Sequence, residues 1–444
     1  MSSLGVAEIK ALVRPDQVHK HVYTDQAIFD LEMERIFGRV WLYVAHDSQL
    51  RNTGDFVRSR MGVHEVIVTR GRDGQIHVLK NSCTHRGATV CSEKKGNART
   101  FVCGYHAWTF DLDGTLKGVP HPATYPESFC PSAKENALGR APRVEVYRGF
   151  VFASLAETGP TLQEFLGPML LAIDNLVERA PQGEVEISDT AFQLEYRANW
   201  KMHHENAIDT IHPGVVHQSS VSAARRNKIP DTSFDSGQTR QMLKGNDFST
   251  PQWEGIRQYA LPNGHSYLTG IYSEGVLVQN DEDETQAAYV QAMEQFYGPE
   301  RVRQILGTNR FNNLVYPNLN INAQYQQLRV IHPIAPNRTL VISHCFRLKG
   351  APDAVYHRAV RFLSTLSSPA SMIYGDDACI FERCDAGLNG SDGIEWINVQ
   401  RGYGFDQPHL EGGVHSAATE APIRAQFAAW LEHMTLDREL KEMK

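Results

Sequence analysis

Two short stretches, Cys83-Thr84-His85-Arg86-Gly87 and Cys103-Gly104-Tyr105-His106-Ala107-Trp108, decide how the first third of this chain folds. Each sets one thiol and one imidazole on a single loop. Two such loops brought together offer Cys83, His85, Cys103 and His106. That donor set suits a tetrahedral zinc ion, or a [2Fe–2S] cluster held by two Cys on one iron and two His on the other. The surroundings favour the cluster, because both stretches fall at hairpin tips and no finger-like helix follows either of them.

Working outward, residues from about Thr53 to Leu155 alternate short apolar runs with turn signals. His64–Arg70 and Gln75–Lys80 flank Gly71–Gly74 and predict a hairpin. Asp111–Gly114 predicts a tight turn and Gly149–Leu155 a strand, so this region reads as a small all-β domain. Ahead of it, Tyr23 to Leu42 carries apolar residues at helical spacing (Ile28, Leu31, Met33, Ile36, Phe37, Trp41), with Thr24 as its N-cap. Behind it, Thr161–Arg179 predicts a helix. Glu184–Tyr196 predicts a strand leading into a helix near Asn199. Leu328–Ile334 and Thr339–Leu348 predict paired strands around Pro336-Asn337, and Asp353–Ser367 and Pro422–Lys444 predict helices. Strands and helices mix without a regular βαβ rhythm, so the fold class is α+β: an all-β domain and a second α+β domain with an antiparallel sheet flanked by helices. The expected boundaries are a helical segment at residues 1–45 packing on the second domain, the all-β domain at 46–157, and the second domain at 158–444.

The bulk numbers narrow the function. A chain of 444 residues carries two or three domains. Net charge is −7, and Lys and Arg are spread rather than clustered, which argues against nucleic acid or an anionic membrane as partner. No apolar run approaches the roughly 20 residues that span a bilayer, and Met1 to Val13 lacks the pattern of a signal peptide. Seven cysteines are an odd count in a long chain. That argues against a disulfide framework and for a cytoplasmic setting in which clustered Cys and His mean metal. Cys91, Cys130, Cys345, Cys379 and Cys384 have no partners at ligand spacing and read as buried small hydrophobes.

A second constellation begins at Asn199-Trp200-Lys201 and continues through Glu205-Asn206, Asp209, His212-Pro213-Gly214 and His217. Asn206, Asp209 and His212 are spaced to share one helix face. His217 is not, but Pro213-Gly214 breaks the helix and lets the chain turn His217 back beside His212. Two neutral histidines with carboxylates nearby suggest a 2-His-1-carboxylate iron site. Gly375-Asp376-Asp377, with Glu382 behind it, is the best source of a third ligand. His203 and His204 read as core histidines, Asp376 as a helix cap, and Glu205 and Asn206 as supports or neighbours of the site.

The motifs C-T-H-R-G and C-G-Y-H-A-W, N-W-K…E-N…D-x-x-H-x-x-x-x-H and a late D-D resemble the large subunits of Rieske non-haem iron ring-hydroxylating oxygenases, over nearly the whole chain. The resemblance implies a Rieske [2Fe–2S] cluster on Cys83, His85, Cys103 and His106, and mononuclear Fe(II) on His212, His217 and Asp377. It implies that Asp209, with Asn206 the second residue expected to act in catalysis, bridges His212 to His106 of a neighbouring subunit in a trimer. The residue before the first His is often Tyr in the family and is Ile211 here.

The implied activity is O₂-dependent hydroxylation of an aromatic ring, with NAD(P)H as the ultimate donor through a separate reductase, with or without a ferredoxin. The N-terminal and Rieske segments are most similar to oxygenases acting on benzoate, anthranilate or salicylate, which commonly pair with a small β subunit. An aromatic carboxylic acid is therefore the expected substrate, with cis-dihydroxylation as the expected outcome. The rivals are a monooxygenase or demethylase, an electron carrier without catalysis, and a zinc-stabilised binding protein. A substrate carboxylate calls for Arg or Lys in the pocket, which the stretch from His217 to Tyr325 is expected to line. Arg225, Arg226 and Arg240 lie in that stretch but read as surface charges, so no anchor is assigned. Ile373 is as much a substrate-facing candidate as a core residue.

Overall fold

The computed structural model describes residues 4–226, 255–270, 284–390, 394–405 and 414–442. The chain divides into two compact units, Phe37–Phe165 and a discontinuous one made of Met1–Ile36 with Leu166–Lys444. The smaller unit thus begins at Phe37 and ends at Phe165, wider at both ends than the span of 46–157 read from the sequence.

The smaller unit is all-β. Four strands run in the order Ile76–Lys80, His64–Arg70, Asp55–Met61, Lys95–Asn97, all antiparallel. A three-stranded sheet joins Leu116–Gly118, Thr109–Phe110 and Phe101–Val102, and another joins Arg143–Tyr147, Phe150–Ser154 and Leu42–His46. The last strand corrects the expectation that helix continues to Leu42. Helix stops at Arg35, and Leu42–His46 is buried at every residue. A strand covered on both faces has no alternation, so its apolar run mimics the end of a helix. The helix start also moves by one residue: Asp25, not Thr24, is the N-cap, its carboxylate accepting from Ala27 N at 2.7 Å and Ile28 N at 3.1 Å.

The larger unit is built on an eight-stranded antiparallel sheet. Its order is Val185–Tyr196, Arg338–Leu348, Gln327–Ala335, Leu319–Asn322, Phe311–Val315, Ser266–Thr269, Arg257–Ala260, Val414–Ser416. Helices Asp353–Ser367, Met372–Gly390 and Ala421–Glu442 belong to the same unit. Register sorts the central strands into two faces. Asn320 pairs with Arg329 and Asn322 with Gln327, while Leu319 pairs with Val330 and Ile321 with Leu328. Period-two geometry therefore gives this part of the sheet one polar and one apolar face.

A buried carboxylate ties the N-terminal helix into this unit. Glu32, wholly buried, accepts from Trp200 Nε1 at 2.9 Å, Lys201 Nζ at 2.6 Å and Trp430 Nε1 at 2.7 Å. Three donors around one carboxylate offset its desolvation, and removing one member of a buried pair costs about 3–5 kcal/mol. The network fixes the start of helix Lys201–Ile208, whose far end carries the second constellation.

Candidate metal centres and the cavity beside the second

The two cysteine loops have the same backbone. In the first, Cys83 N donates to Ala88 O at 2.8 Å and Gly87 N to Cys83 O at 2.8 Å. In the second, Cys103 N donates to Trp108 O at 2.8 Å and Ala107 N to Cys103 O at 2.9 Å. Closing such a loop puts its fifth residue in the left-handed region: Gly87 has φ 76° and Ala107 φ 53°. Glycine takes that conformation freely, whereas alanine does so at a cost of about 1 kcal/mol.

The loops bring their donors together. The His85 and His106 rings lie 4.7 Å apart, and Trp108 stacks on His85 with 7° between planes. Cys83 and Cys103 are buried, and each Sγ faces backbone N–H groups: His85 and Arg86 for Cys83, Tyr105 and His106 for Cys103. Burial raises both thiols, and in Cys103 the N–H groups outweigh it and lower the thiol toward thiolate. Nδ1 of His85 and Nδ1 of His106 are buried without a hydrogen-bond partner. Two buried thiols that each face backbone N–H groups and two buried imidazole nitrogens needing partners fit a Cys₂His₂ cluster. Of the other cysteines, Cys91 and Cys345 are buried as expected, but Cys130, Cys379 and Cys384 are exposed.

The second constellation departs from the helix-face reading. Helix Lys201–Ile208 ends one residue short of Asp209, which is extended at φ −77°, ψ 127°. The Asp209 carboxylate accepts from Ile211 N at 3.0 Å, a local turn that competes with helix. A one-turn helix, Pro213–Val216, then starts with Pro213 at its first position. His212 precedes this turn and His217 follows it, and their rings come within 5.6 Å. The chain reversal at Pro213-Gly214 thus pairs the two histidines as expected, although Asp209 and His212 share no helix.

Asp377 reaches the pair from helix Met372–Gly390. Its Oδ1 lies 3.3 Å from His217 Nε2 and 3.7 Å from His212 Nε2. One donor atom from each of the three residues falls within 4.8 Å of the others. Asn206 Nδ2 closes on the same atoms, at 3.0 Å from His212 Nε2 and 3.1 Å from Asp377 Oδ1. Behind the rings stand two more carboxylates, Asp209 Oδ2 at 3.6 Å from His212 Nδ1 and Asp376 Oδ2 at 3.7 Å from His217 Nδ1. Asp376 is therefore not a helix cap: Ser371 Oγ caps, accepting from Tyr374 N at 3.0 Å. A carboxylate facing the outer nitrogen of each imidazole is the arrangement that orients metal-binding histidines. The donor set suits Fe(II) with open coordination positions. Burial works against ionisation of Asp209, but His212, the Ile211 N–H and Arg401, 3.1 Å away, hold its carboxyl below the usual range.

His203 and His204 are core residues, hydrogen-bonded to Tyr374 OH at 3.2 Å and Pro317 O at 2.5 Å. Glu382 is exposed and accepts from Arg197 N. Glu205, bound to Tyr23 OH at 2.8 Å, is pushed up to about 7 by burial.

A cavity of about 100 Å³ opens beside His212, His217 and Asp377. Its apolar wall includes Leu268, Phe311, Tyr325, Phe362 and Ile373, and the polar side is Asn312, Asn322, Gln327 and Arg329. The volume is of the order of a cavity that holds one benzene ring, roughly 150 Å³. Ile373 faces it, as one of the two readings had it. The lining continues past Tyr325, the expected limit. Arg225 and Arg226 are exposed on the helix Gln218–Arg226, and Arg240 lies outside the described residues. Arg329 was missed. The signal for it was polar residues at alternate positions in otherwise apolar strands.

Residues 40–134 match the Rieske [2Fe-2S] domain and residues 187–436 the catalytic domain of the ring-hydroxylating alpha subunit. The anthranilate 1,2-dioxygenase large subunit of Acinetobacter baylyi is 32% identical over 87% of this chain and 80% of that protein. The N,N-dimethyl phenylurea N-demethylase alpha subunit of a Sphingobium species is 37% identical, over 58% of this chain and 51% of that one. Naphthalene 1,2-dioxygenase, solved with indole in its active site, superposes with a TM-score of 0.77 at 27% identity, covering 94% of this chain and 92% of that one. No helix among the described residues is long and apolar enough to cross a membrane.

Proposed function

This chain belongs to the ring-hydroxylating alpha subunits that carry a Rieske [2Fe–2S] domain and a mononuclear iron domain, and on that premise we propose that it cis-dihydroxylates a monocyclic aromatic carboxylic acid. The observation that carries the proposal is the placing of His212, His217 and Asp377 at the edge of a cavity with aromatic and aliphatic walls. The relatives acting on aromatic acids support the substrate class.

Cys83, His85, Cys103 and His106 would hold the cluster, and His212, His217 and Asp377 would hold the iron. When bound, the cluster would supply electrons one at a time and the iron would supply the activation of O₂. The protein's own groups do the rest. Asp209 and Asp376 face the outer nitrogens of the imidazoles, Asn206 holds the Asp377 carboxylate, and the apolar wall keeps the ring beside the metal and water out. Overall, substrate, O₂, two electrons and two protons give a diol that has gained two oxygens and two hydrogens. The electrons originate in NAD(P)H and arrive through a separate reductase or ferredoxin. The working assembly is a trimer of these chains with a small β subunit beside each. In it Asp209 joins His212 to His106 of the neighbouring copy, accepting N–H bonds from both rings.

Product mass and ¹⁸O₂ labelling of the reconstituted protein test the chemistry. Two labelled oxygens with two added hydrogens is the expected result. One labelled oxygen, or loss of a methyl group as formaldehyde, would move the enzyme to monooxygenation or demethylation, the reading favoured by its resemblance to the phenylurea N-demethylase.

A further inference from the structure

Among the described residues Arg329 is the one lysine or arginine lining the cavity. It sits half-buried in a central strand of the larger unit and lines the cavity. Its Nη2 donates to Asn312 Oδ1 at 2.8 Å and to Asn320 Oδ1 at 3.0 Å. Its Nε is buried with no hydrogen-bond partner. Both acceptors are neutral. A buried guanidinium normally has a carboxylate beside it, because leaving the charge unmatched costs several kcal/mol.

Among the described residues, none of the carboxylates that share the cavity hydrogen-bonds to Arg329, although Asp377 lies near enough to stabilise its charge. Asp209 is paired with Arg401 at 3.1 Å, and Asp377 faces His212 and His217. With Fe(II) on two neutral imidazoles and one carboxylate, the metal centre itself carries one net positive charge. The cavity then presents two cations, with aromatic walls around them and a donor to spare.

Arg329 is also held in place. Asn312 adopts a left-handed φ of 43°. Its side chain donates to Ala207 O at 2.7 Å and accepts from Asn322 Nδ2 at 2.9 Å as well as from Arg329. A strained backbone held by four hydrogen bonds, counting Asn312 N to Asn322 Oδ1 at 2.7 Å, is costly to maintain unless the site uses it. Burial lowers the guanidinium's pKa, opposed by the nearby Tyr374 and Asp377, so that an incoming anion adds the missing stabilisation.

The geometry points to Arg329 as the carboxylate anchor of this enzyme: a monocyclic aromatic acid enters with its carboxylate on Arg329 and its ring toward the iron. This rests on the aromatic-acid reading above. It sets orientation as well as affinity, because a carboxylate fixed on Arg329 limits which ring carbons can reach the metal.

The test uses holoenzyme with both metal sites loaded, measuring substrate-dependent O₂ consumption with benzoate, anthranilate and salicylate against benzamide and toluene. In Arg329→Gln, KM for the acids should rise on the order of 10²- to 10³-fold, while turnover of benzamide and toluene holds or improves. Arg329→Lys should recover part of the preference. Cluster absorbance and iron content report folding in each variant. If wild type prefers acids and Arg329→Gln loses acids and neutral rings equally, or loses neither, the anchor is wrong and the substrate reading stands. If wild type turns over the neutral rings and no acid, both are wrong.

Discussion

At the cluster site all four candidate donors come from two loops between positions 83 and 106, with matching backbone hydrogen bonds and each histidine two or three residues after its cysteine. At the iron site two donors flank a one-turn helix and the third arrives from a different helix, far along the chain. The first site is local and repeats one loop design. The second depends on the whole larger unit, and its cavity wall is drawn from strands and helices that no short motif joins. Local sites tolerate distant change, whereas assembled sites inherit every shift in the scaffold.

Removing one donor from each site is the strongest way to break this comparison. Cys103→Ser should abolish the cluster's visible spectrum, and turnover with it, while iron binding at His212, His217 and Asp377 persists. Asp377→Ala should do the reverse, lowering turnover at least about 10³-fold by removing metal chemistry worth several kcal/mol, with the cluster spectrum unchanged. Iron analysis beside absorbance separates the two. Loss of both centres in either variant would show that the sites are not independent.

A smaller effect is expected at the link between them. Asp209→Ala should leave both metals bound and slow single-turnover oxidation of the reduced cluster about 10- to 100-fold. Oxidation at the wild-type rate would refute the bridge.

The difference in construction also explains what could be read in advance. The Cys-His loops, the Asp111–Gly114 turn and the His64–Lys80 hairpin are local and were legible from composition and spacing alone. The His212/His217 pair was legible because proline and glycine announce a chain reversal. Asp377 needed the family resemblance, since nothing in its spacing points to His212. Asp209 was placed on a helix because an i, i+3 spacing does not reveal that its own side chain ends the helix by binding Ile211 N. Arg329 was invisible because its significance lies in register: only pairing with Asn320, and the approach of Asn312 from the next strand, turns a lone arginine in a strand into a cavity cation.

The smallest predicted effect probes the likeness of the two loops. Ala107→Gly should relieve the left-handed strain and raise the melting temperature of the cluster absorbance by roughly 3–5 °C, as about 1 kcal/mol does for a unit of this size. Gly87→Ala should lower it by a similar amount, since nothing lies within 4 Å of the added Cβ and the cost is all backbone. Unequal or same-signed shifts would mean that the loops are only superficially alike.

Glu32 carries a consequence for the order in which the protein is made. Its carboxylate lies in the helix Gln26–Arg35, yet its donors are Trp200, Lys201 and Trp430. On the ribosome, that helix waits for a partner 398 residues further along the chain. The contiguous unit Phe37–Phe165 has no such wait and can close while the rest is still being translated. A nascent chain can therefore hold a closed cluster-bearing unit while the helix Gln26–Arg35 has not yet met its partners, and the Glu32 network completes only once Trp430 has emerged.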